Sequence, residues 1–231
     1  MVTVTSRRGT RGLLCAAVAG SLALTVAGCS RGDDGSGGKE PDTSVAAERL
    51  CGGKAVSTEA GESLQVIMGS ARFEPSDEKT TVAAAARELG RTDNSSVRGI
   101  GDICWIYPPT DAPFKELRVS WHLTGSAPED ISAGRFTLLP MGEQAGTAPD
   151  VAFVTFACHD GHELTGPMRR HITITVEPGG KPVEPEGDAE ELQALKDAYA
   201  TVAHSFSLAM AKELGCEDNG GLKAKPSLDP A

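Results

Sequence analysis

The stretch ELRVSWHL, residues 116–123, alternates apolar and polar side chains along its whole length. The apolar set, on one side of an extended chain, is Leu117, Val119, Trp121 and Leu123. The polar set on the other side is Arg118, Ser120 and His122. This period of two predicts a β-strand whose two faces meet different surroundings.

Four other segments are predicted strands, which gives a sheet of about five. They are ICWIY (103–107), GRFTLLP (134–140), VAFVTFAC (151–158) and HITITVE (171–177). VAFVTFAC is apolar on both faces, so we expect it near the centre of the sheet. We expect Trp105, Tyr107 and Trp121 to be core residues, with a ligand groove as the alternative.

Helical patterns stand on both sides of these strands. Residues 44–54 predict a short helix, Ser57 caps a second one that ends at Gly69, and a third runs from Ser76 to Gly90. The last helix lies between Ala189 and Leu214. Its apolar stripe at helical spacing is Leu192, Leu195, Tyr199, Val202, Phe206 and Met210.

The order of these elements predicts an α+β fold: an antiparallel sheet with N-terminal helices and a long C-terminal amphipathic helix packed on it. The second sheet face is then covered by the early helices or left as a binding surface.

Residues 1–28 have the layout of a secretory signal peptide. Three arginines with no acidic residue precede an apolar run from Leu13 to Ala27, which is shorter than the ~20 residues that span a bilayer. Arg7 and Arg8 leave twin-arginine export open beside general secretion.

Cys29 follows directly, in the sequence Val26-Ala27-Gly28-Cys29. This motif resembles a bacterial lipobox, which implies cleavage before Cys29 and its modification by lipid. The alternative is a cut elsewhere that leaves an ordinary thiol. Acyl chains would hold the protein at the extracytoplasmic face of the cell membrane.

The remaining chain divides into three parts by composition. Residues 29–43 are polar and glycine-rich and predict a flexible linker, residues 44–216 a single domain, and residues 217–231 a disordered tail.

The mature chain is strongly acidic. The full sequence has 22 basic and 32 acidic residues, and three of the basic residues but none of the acidic ones lie in the signal peptide. The mature chain therefore keeps 19 basic and 32 acidic residues, a formal charge of −13. This balance argues against nucleic acid as a partner and against electrostatic adhesion to anionic lipid.

Four cysteines stay in the exported domain: Cys51, Cys104, Cys158 and Cys216. An even number of cysteines in an oxidising compartment predicts two disulfides, and metal ligation is the less favoured interpretation. We favour Cys51–Cys104 and Cys158–Cys216, which would tie the first helical region and the last helix to the sheet. A Cys51–Cys216 bridge is the main rival.

The stretch CHDGHELTGPMRRH (158–171) is the richest cluster of potential metal ligands. His159, His162 and Glu163 are the candidate ligands, since imidazole and carboxylate bind zinc and similar ions. The spacing does not match the helical zinc-protease motif, and Asp-Gly also predicts a plain polar turn.

Several motifs together resemble those of actinobacterial exported lipoproteins of unknown function. They are the lipobox, Cys51-Gly52-Gly53, Cys104-Trp105 and Glu213 to Cys216. The resemblance implies the anchor and the disulfide framework and implies no activity.

Two hypotheses of function follow. The favoured one is a non-enzymatic envelope module, anchored to the bilayer through Cys29, that binds a small ligand or an envelope protein without a cofactor. The alternative is a metal-binding protein or metal-dependent enzyme that uses the loop His159–Glu163. Whether the protein is an enzyme stays open, since the chain has no G-x-S-x-G or phosphate-loop motif.

Overall fold

A computed structural model of the chain describes residues 42–91, 98–109, 116–126, 134–159, 170–180 and 185–231. Its strands are β1 (Arg98–Ile106), β2 (Leu117–Thr124), β3 (Thr137–Leu139), β4 (Gln144–Ala148), β5 (Val151–Cys158) and β6 (Arg170–Pro178). Its helices are α1 (Thr58–Met68), α2 (Val82–Arg91) and α3 (Ala189–Glu213), with 3-10 segments at Ala47–Gly52 and Glu217–Gly221. The described residues belong to one unit, Pro41–Ala231.

The six strands form one antiparallel sheet in the order β1-β2-β6-β5-β4-β3. The predicted α+β class with an antiparallel sheet is confirmed, but the strands number six rather than about five. The additional strand is β4, whose sequence QAGTA has small residues and no alternation of apolar and polar side chains.

All three α-helices lie on one face of the sheet. α3 packs on β4, β5 and β6, α2 contacts both β1 and α3, and α1 packs mainly against α3. The early helices therefore extend the same layer as α3. No helix among the described residues covers the opposite face.

The core lies between this helix layer and the sheet. The apolar side of β2 is buried throughout, and Trp121 is only 2% exposed. Its indole ring lies against Gly101 of β1, where a Cβ atom would come within 2.6 Å of the ring. Glycine at this position thus lets the largest core side chain fit beneath the edge strand.

Both favoured disulfides are present. Cys51–Cys104 joins the first 3-10 segment to β1, with a Cα–Cα distance of 5.6 Å. Cys158–Cys216 joins the end of β5 to the residues after α3, with a Cα–Cα distance of 4.9 Å. Each bridge connects the helix layer to the sheet, and the rival Cys51–Cys216 pairing is excluded.

All three α-helices have a side-chain cap at the N-terminus, and the predicted cap at Ser57 is confirmed. Ser57 accepts a hydrogen bond from the Ala60 N–H at 3.1 Å, and Asp188 forms a capping box with Glu191 at the start of α3. α2 differs from its prediction, because it begins at Val82 instead of after Ser76. Asp77 instead holds a turn through the Lys79 N–H, and Thr81 accepts a hydrogen bond from the Ala84 N–H.

The C-terminal segment also differs from its prediction as a disordered tail. After the 3-10 segment Glu217–Gly221, Leu222 is buried against the core, and the Ala231 N–H donates to the Leu138 carbonyl at 3.0 Å. Buried apolar side chains and backbone hydrogen bonds fix this segment despite its polar composition.

No helix in the described part of the chain is long and apolar enough to cross a membrane. The predicted signal peptide, Cys29 and nearly all of the predicted linker lie outside the described residues.

Candidate functional site

The polar residues of β2 have polar neighbours on β6. Arg118 pairs with Glu177, Ser120 with Thr175, and His122 with Thr173. Residues paired across antiparallel strands lie on the same side of the sheet, so these side chains share the face opposite the helices. On β1, Asp102 pairs with Ser120, Trp105 with Arg118, and Ile100 with His122. We call this surface the polar face and define it by Ile100, Asp102, Trp105, Arg118, Ser120, His122, Thr173, Thr175 and Glu177.

On the same side of the sheet, side chains of β5 are buried. Phe153 and Thr155 are buried there, and the ring of Phe136 packs edge-on against Phe153 with centroids 5.2 Å apart. The Thr155 and Thr173 hydroxyls form a hydrogen bond of 2.8 Å at the boundary. The residues that define the polar face are partly or fully exposed, and Ile100 is 70% exposed. The polar face is therefore the accessible part of this side.

Arg118 is the centre of the charged end of the polar face. Its guanidinium lies 2.6 Å from Asp102 Oδ1 and 3.5 Å from Glu177 Oε1, and 5.7 Å from the ring centroid of Trp105. The Trp105 indole N–H donates to Asp102 Oδ2 at 3.1 Å. Two carboxylates and an aromatic ring thus hold one cation in a fixed position.

A cleft of about 210 Å³ opens beside Trp105 and Arg118. A second ion pair, Arg135 with Asp150 at 2.8 Å, lines it, and residues 178–180 form its wall. This volume is below the ~300–1,000 Å³ of pockets for drug-sized ligands, so the cleft fits a single ring or one side chain of a partner. Its paired charges favour a ligand with polar groups and little net charge over a strong anion or cation.

The predicted metal ligands are only partly within the described residues. His159 follows the end of β5, and its carbonyl accepts the Glu217 N–H at 3.2 Å. His162 and Glu163 lie outside the described residues. Across residues for which the structure gives positions, no group of three or more His, Cys, Asp or Glu is placed to hold a metal ion. The metal site stays a prediction; equal metal content in wild type, His159→Ala and His162→Ala would contradict it.

A buried His–Glu contact was not predicted. His171 of β6 belongs to the histidine cluster, but its partner is Glu143, with 2.6 Å between His171 Nδ1 and Glu143 Oε2. The His171 side chain is 7% exposed. No sequence signal links two residues 28 positions apart. The contact joins the turn before β4 to the start of β6, and a carboxylate in this place fixes the orientation of the imidazole.

The aromatic residues expected in the core divide between the two faces. Trp121 is in the core as predicted, with no hydrogen-bond partner for its indole N–H within the described ranges. Trp105 lies on the polar face, and Tyr107 is 38% exposed. Burial together with the carboxylates of Glu116 and Glu74 raises the pKa of the Tyr107 hydroxyl.

A second concave surface lies on the helix side. It is a groove of about 500 Å³ between α1, α3 and the C-terminal segment, with Glu59, Glu62 and Asp197 among its lining. Across the groove, Lys225 Nζ forms an ion pair with Glu59 Oε1 at 2.9 Å. This groove has no signal in the sequence, because the polar composition of residues 217–231 predicts a disordered tail.

Searches of protein-family models, of curated proteins and of solved structures found no match to this chain.

Proposed function

We propose that the protein is a membrane-anchored extracytoplasmic lipoprotein and a non-enzymatic binding module that recognises its ligand with the polar face. The observation that carries this proposal is the one-sided fold. The described helices all pack on one face of the sheet, and on the other face β1, β2 and β6 present polar side chains to solvent. A hydroxyl, imidazole or guanidinium group there contributes little to the core and is available for contacts.

The anchor and the location are supported by the start of the sequence. The basic head, the apolar run and Val26-Ala27-Gly28-Cys29 match the order of elements in an exported lipoprotein. Two disulfides are consistent with an oxidising compartment outside the cytoplasm.

The binding role is supported by the order of the polar face. Arg118 is held by Asp102, Glu177 and Trp105, so a ligand does not have to immobilise it. A preorganised surface reduces the entropy lost on binding. The Ser and Thr hydroxyls on β2 and β6 both donate and accept hydrogen bonds, which suits a ligand or partner surface with polar groups.

Native mass spectrometry of the protein purified gently from its own envelope tests the binding role. The informative variant is Ser120→Arg, which puts a large side chain at the centre of the polar face. Gln193→Arg makes the same substitution at an exposed position of α3 and is the control.

We expect a bound molecule of defined mass on the wild type and on Gln193→Arg, and its loss from Ser120→Arg. Binding that survives Ser120→Arg but is lost in Gln193→Arg would place the site on the helix layer and contradict the proposal. The absence of bound mass from wild type and control alike would also count against it.

Fractionation of cells that express Cys29→Ser tests the anchor. We expect the variant to leave the membrane fraction or to accumulate as uncleaved precursor. Normal processing with unchanged membrane retention would contradict lipid attachment at Cys29.

A further inference from the structure

The two edge strands of the sheet differ in length and in the segments that pair with them. The edge strand β3 has three residues, and the Ala231 N–H already donates to its Leu138 carbonyl. The other edge strand, β1, has nine residues. Beyond its last residue the Glu74 N–H donates to the Tyr107 carbonyl at 2.8 Å, but no described segment pairs with the outer edge of β1 itself. An unpaired edge strand is a template for another strand.

The first half of β1 reads Arg98-Gly99-Ile100-Gly101-Asp102, and this sequence is complementary to itself in the antiparallel direction. When two copies pair with Ile100 opposite Ile100, Arg98 of each stands opposite Asp102 of the other. Gly99 then stands opposite Gly101. Opposite charges and β-branched residues in directly facing positions stabilise antiparallel pairs.

The structure adds two observations that favour this segment. Ile100 is 70% exposed, the highest exposure of any large apolar residue in the described part of the chain. A β-bulge between Asp102 and Cys104 interrupts the regular register at the end of the segment. Regular pairing with a second strand is thus confined to residues 98–102.

We propose that β1 is a self-association edge, at which two copies of this chain pair antiparallel about a two-fold axis that passes midway between their Ile100 residues. Because the axis passes between two directly facing copies of the same residue, each outward N–H and C=O group of one strand faces a residue of the other strand whose groups also point outward. The interface uses the same patch on both copies, so it closes at a dimer. The two polar faces then lie side by side in one continuous sheet. The pairing does not depend on the function proposed above.

Charge reversal at the facing positions tests this arrangement. The processed protein, purified from its own cells in detergent, is compared by native mass spectrometry with Arg98→Glu and Asp102→Lys. Each variant alone places like charges opposite each other at both ends of the segment, and we expect its dimer to be at least ~10-fold weaker than that of the wild type. An equimolar mixture restores opposite charges at both ends, so we expect the mixed dimer to form.

Two further variants separate association from folding, because Asp102→Lys also removes the partner of Arg118. Ile100→Asp leaves that ion pair intact and is expected to be monomeric. Val66→Asp changes another exposed apolar residue, 52% exposed on α1, and is expected to dimerise like the wild type. Circular dichroism melts establish that each variant is folded.

A monomeric wild type would overturn the proposal. So would a dimer that resists Ile100→Asp, a dimer that Val66→Asp disrupts equally, or a mixture of folded charge variants that forms no mixed dimer.

Discussion

Trp121 and His122 are neighbours in β2, but they belong to faces of the sheet with different roles. Trp121 is buried beneath the helix layer, whereas His122 lies on the polar face, partly exposed, with Thr173 and Ile100 beside it. Both disulfides tie the helix layer to the sheet, and the accessible ion pairs of Arg118 are on the polar face. A one-sided sheet therefore separates the buried residues that stabilise the fold from polar residues that are accessible to solvent.

The largest expected difference is between substitutions at these two neighbours. Trp121→Ala removes a buried indole from the core and should lower the free energy of unfolding by about 3–5 kcal/mol. His122→Ala should lower it by less than ~1 kcal/mol, because surface substitutions have small effects. Urea denaturation of both variants measures this; similar losses would mean that the polar face is part of the core.

Removal of one disulfide should have a slightly smaller effect. The Cys158–Cys216 bridge closes a loop with a sequence separation of 58 residues. The Cys158→Ser/Cys216→Ser double variant should lose about 2–5 kcal/mol, through greater chain entropy in the unfolded state. Thermal unfolding under non-reducing conditions tests this. An unchanged melting temperature would show that the bridge does not hold the end of α3 to the sheet.

The pH dependence of stability should depend on one buried histidine of the helix layer. Burial lowers the pKa of His204, although its hydrogen bond to the Lys223 carbonyl, 3.0 Å from Nε2, acts in the opposite direction. In the unfolded chain the His204 imidazole binds a proton near pH 6.5, whereas in the folded chain it does so only at lower pH. The free energy of unfolding therefore decreases as the pH drops below about 6.5.

His204→Gln keeps a donor to Lys223 and removes the titration. The decrease in unfolding free energy between about pH 7.5 and pH 5.5 should thus be smaller in the variant than in the wild type. The other histidines remain in both proteins and cancel in the difference. An equal decrease in both would contradict a neutral, buried His204.

An effect on stability as small as that of His122→Ala is expected at Arg118. Its side chain is 33% exposed, and partly exposed ion pairs contribute little. Arg118→Gln should change the free energy of unfolding by no more than about 1 kcal/mol, measured by urea denaturation. A loss comparable with that of Trp121→Ala would show that the charged cluster has a structural role.

The sequence predicts the elements with a clear period and misses those without one. The alternation in β2 and β6 and the apolar stripe of α3 identify these elements to within a few residues. β4 consists largely of small residues, and the first half of β1 contains two glycines, so neither has a strand pattern. The glycine at 101 is explained by Trp121, which is 20 positions away in the sequence and adjacent only in the fold.

The candidate site was predictable only in part. The alternation in residues 116–123 indicates a polar side of the sheet. The even number of cysteines predicts two disulfides but does not choose between the favoured pairing and the rival Cys51–Cys216 bridge. The sequence does not reveal that β2 lies between β1 and β6. This strand order brings Asp102, Arg118 and Glu177 together. Long-range contacts of this kind, like that of His171 with Glu143, have no local sequence signal.

Site-specific photo-crosslinking in intact cells tests whether the polar face binds a ligand or partner while the helix layer stabilises the fold. A photoreactive residue replaces His122 in one strain and Gln193 in the other, with Cys29 intact in both. We expect a crosslinked adduct of defined mass from position 122 and none from position 193. An adduct of twice the chain mass reports the β1 contact and is scored separately. Adducts from position 193 alone, or none from either position, would contradict binding by the polar face.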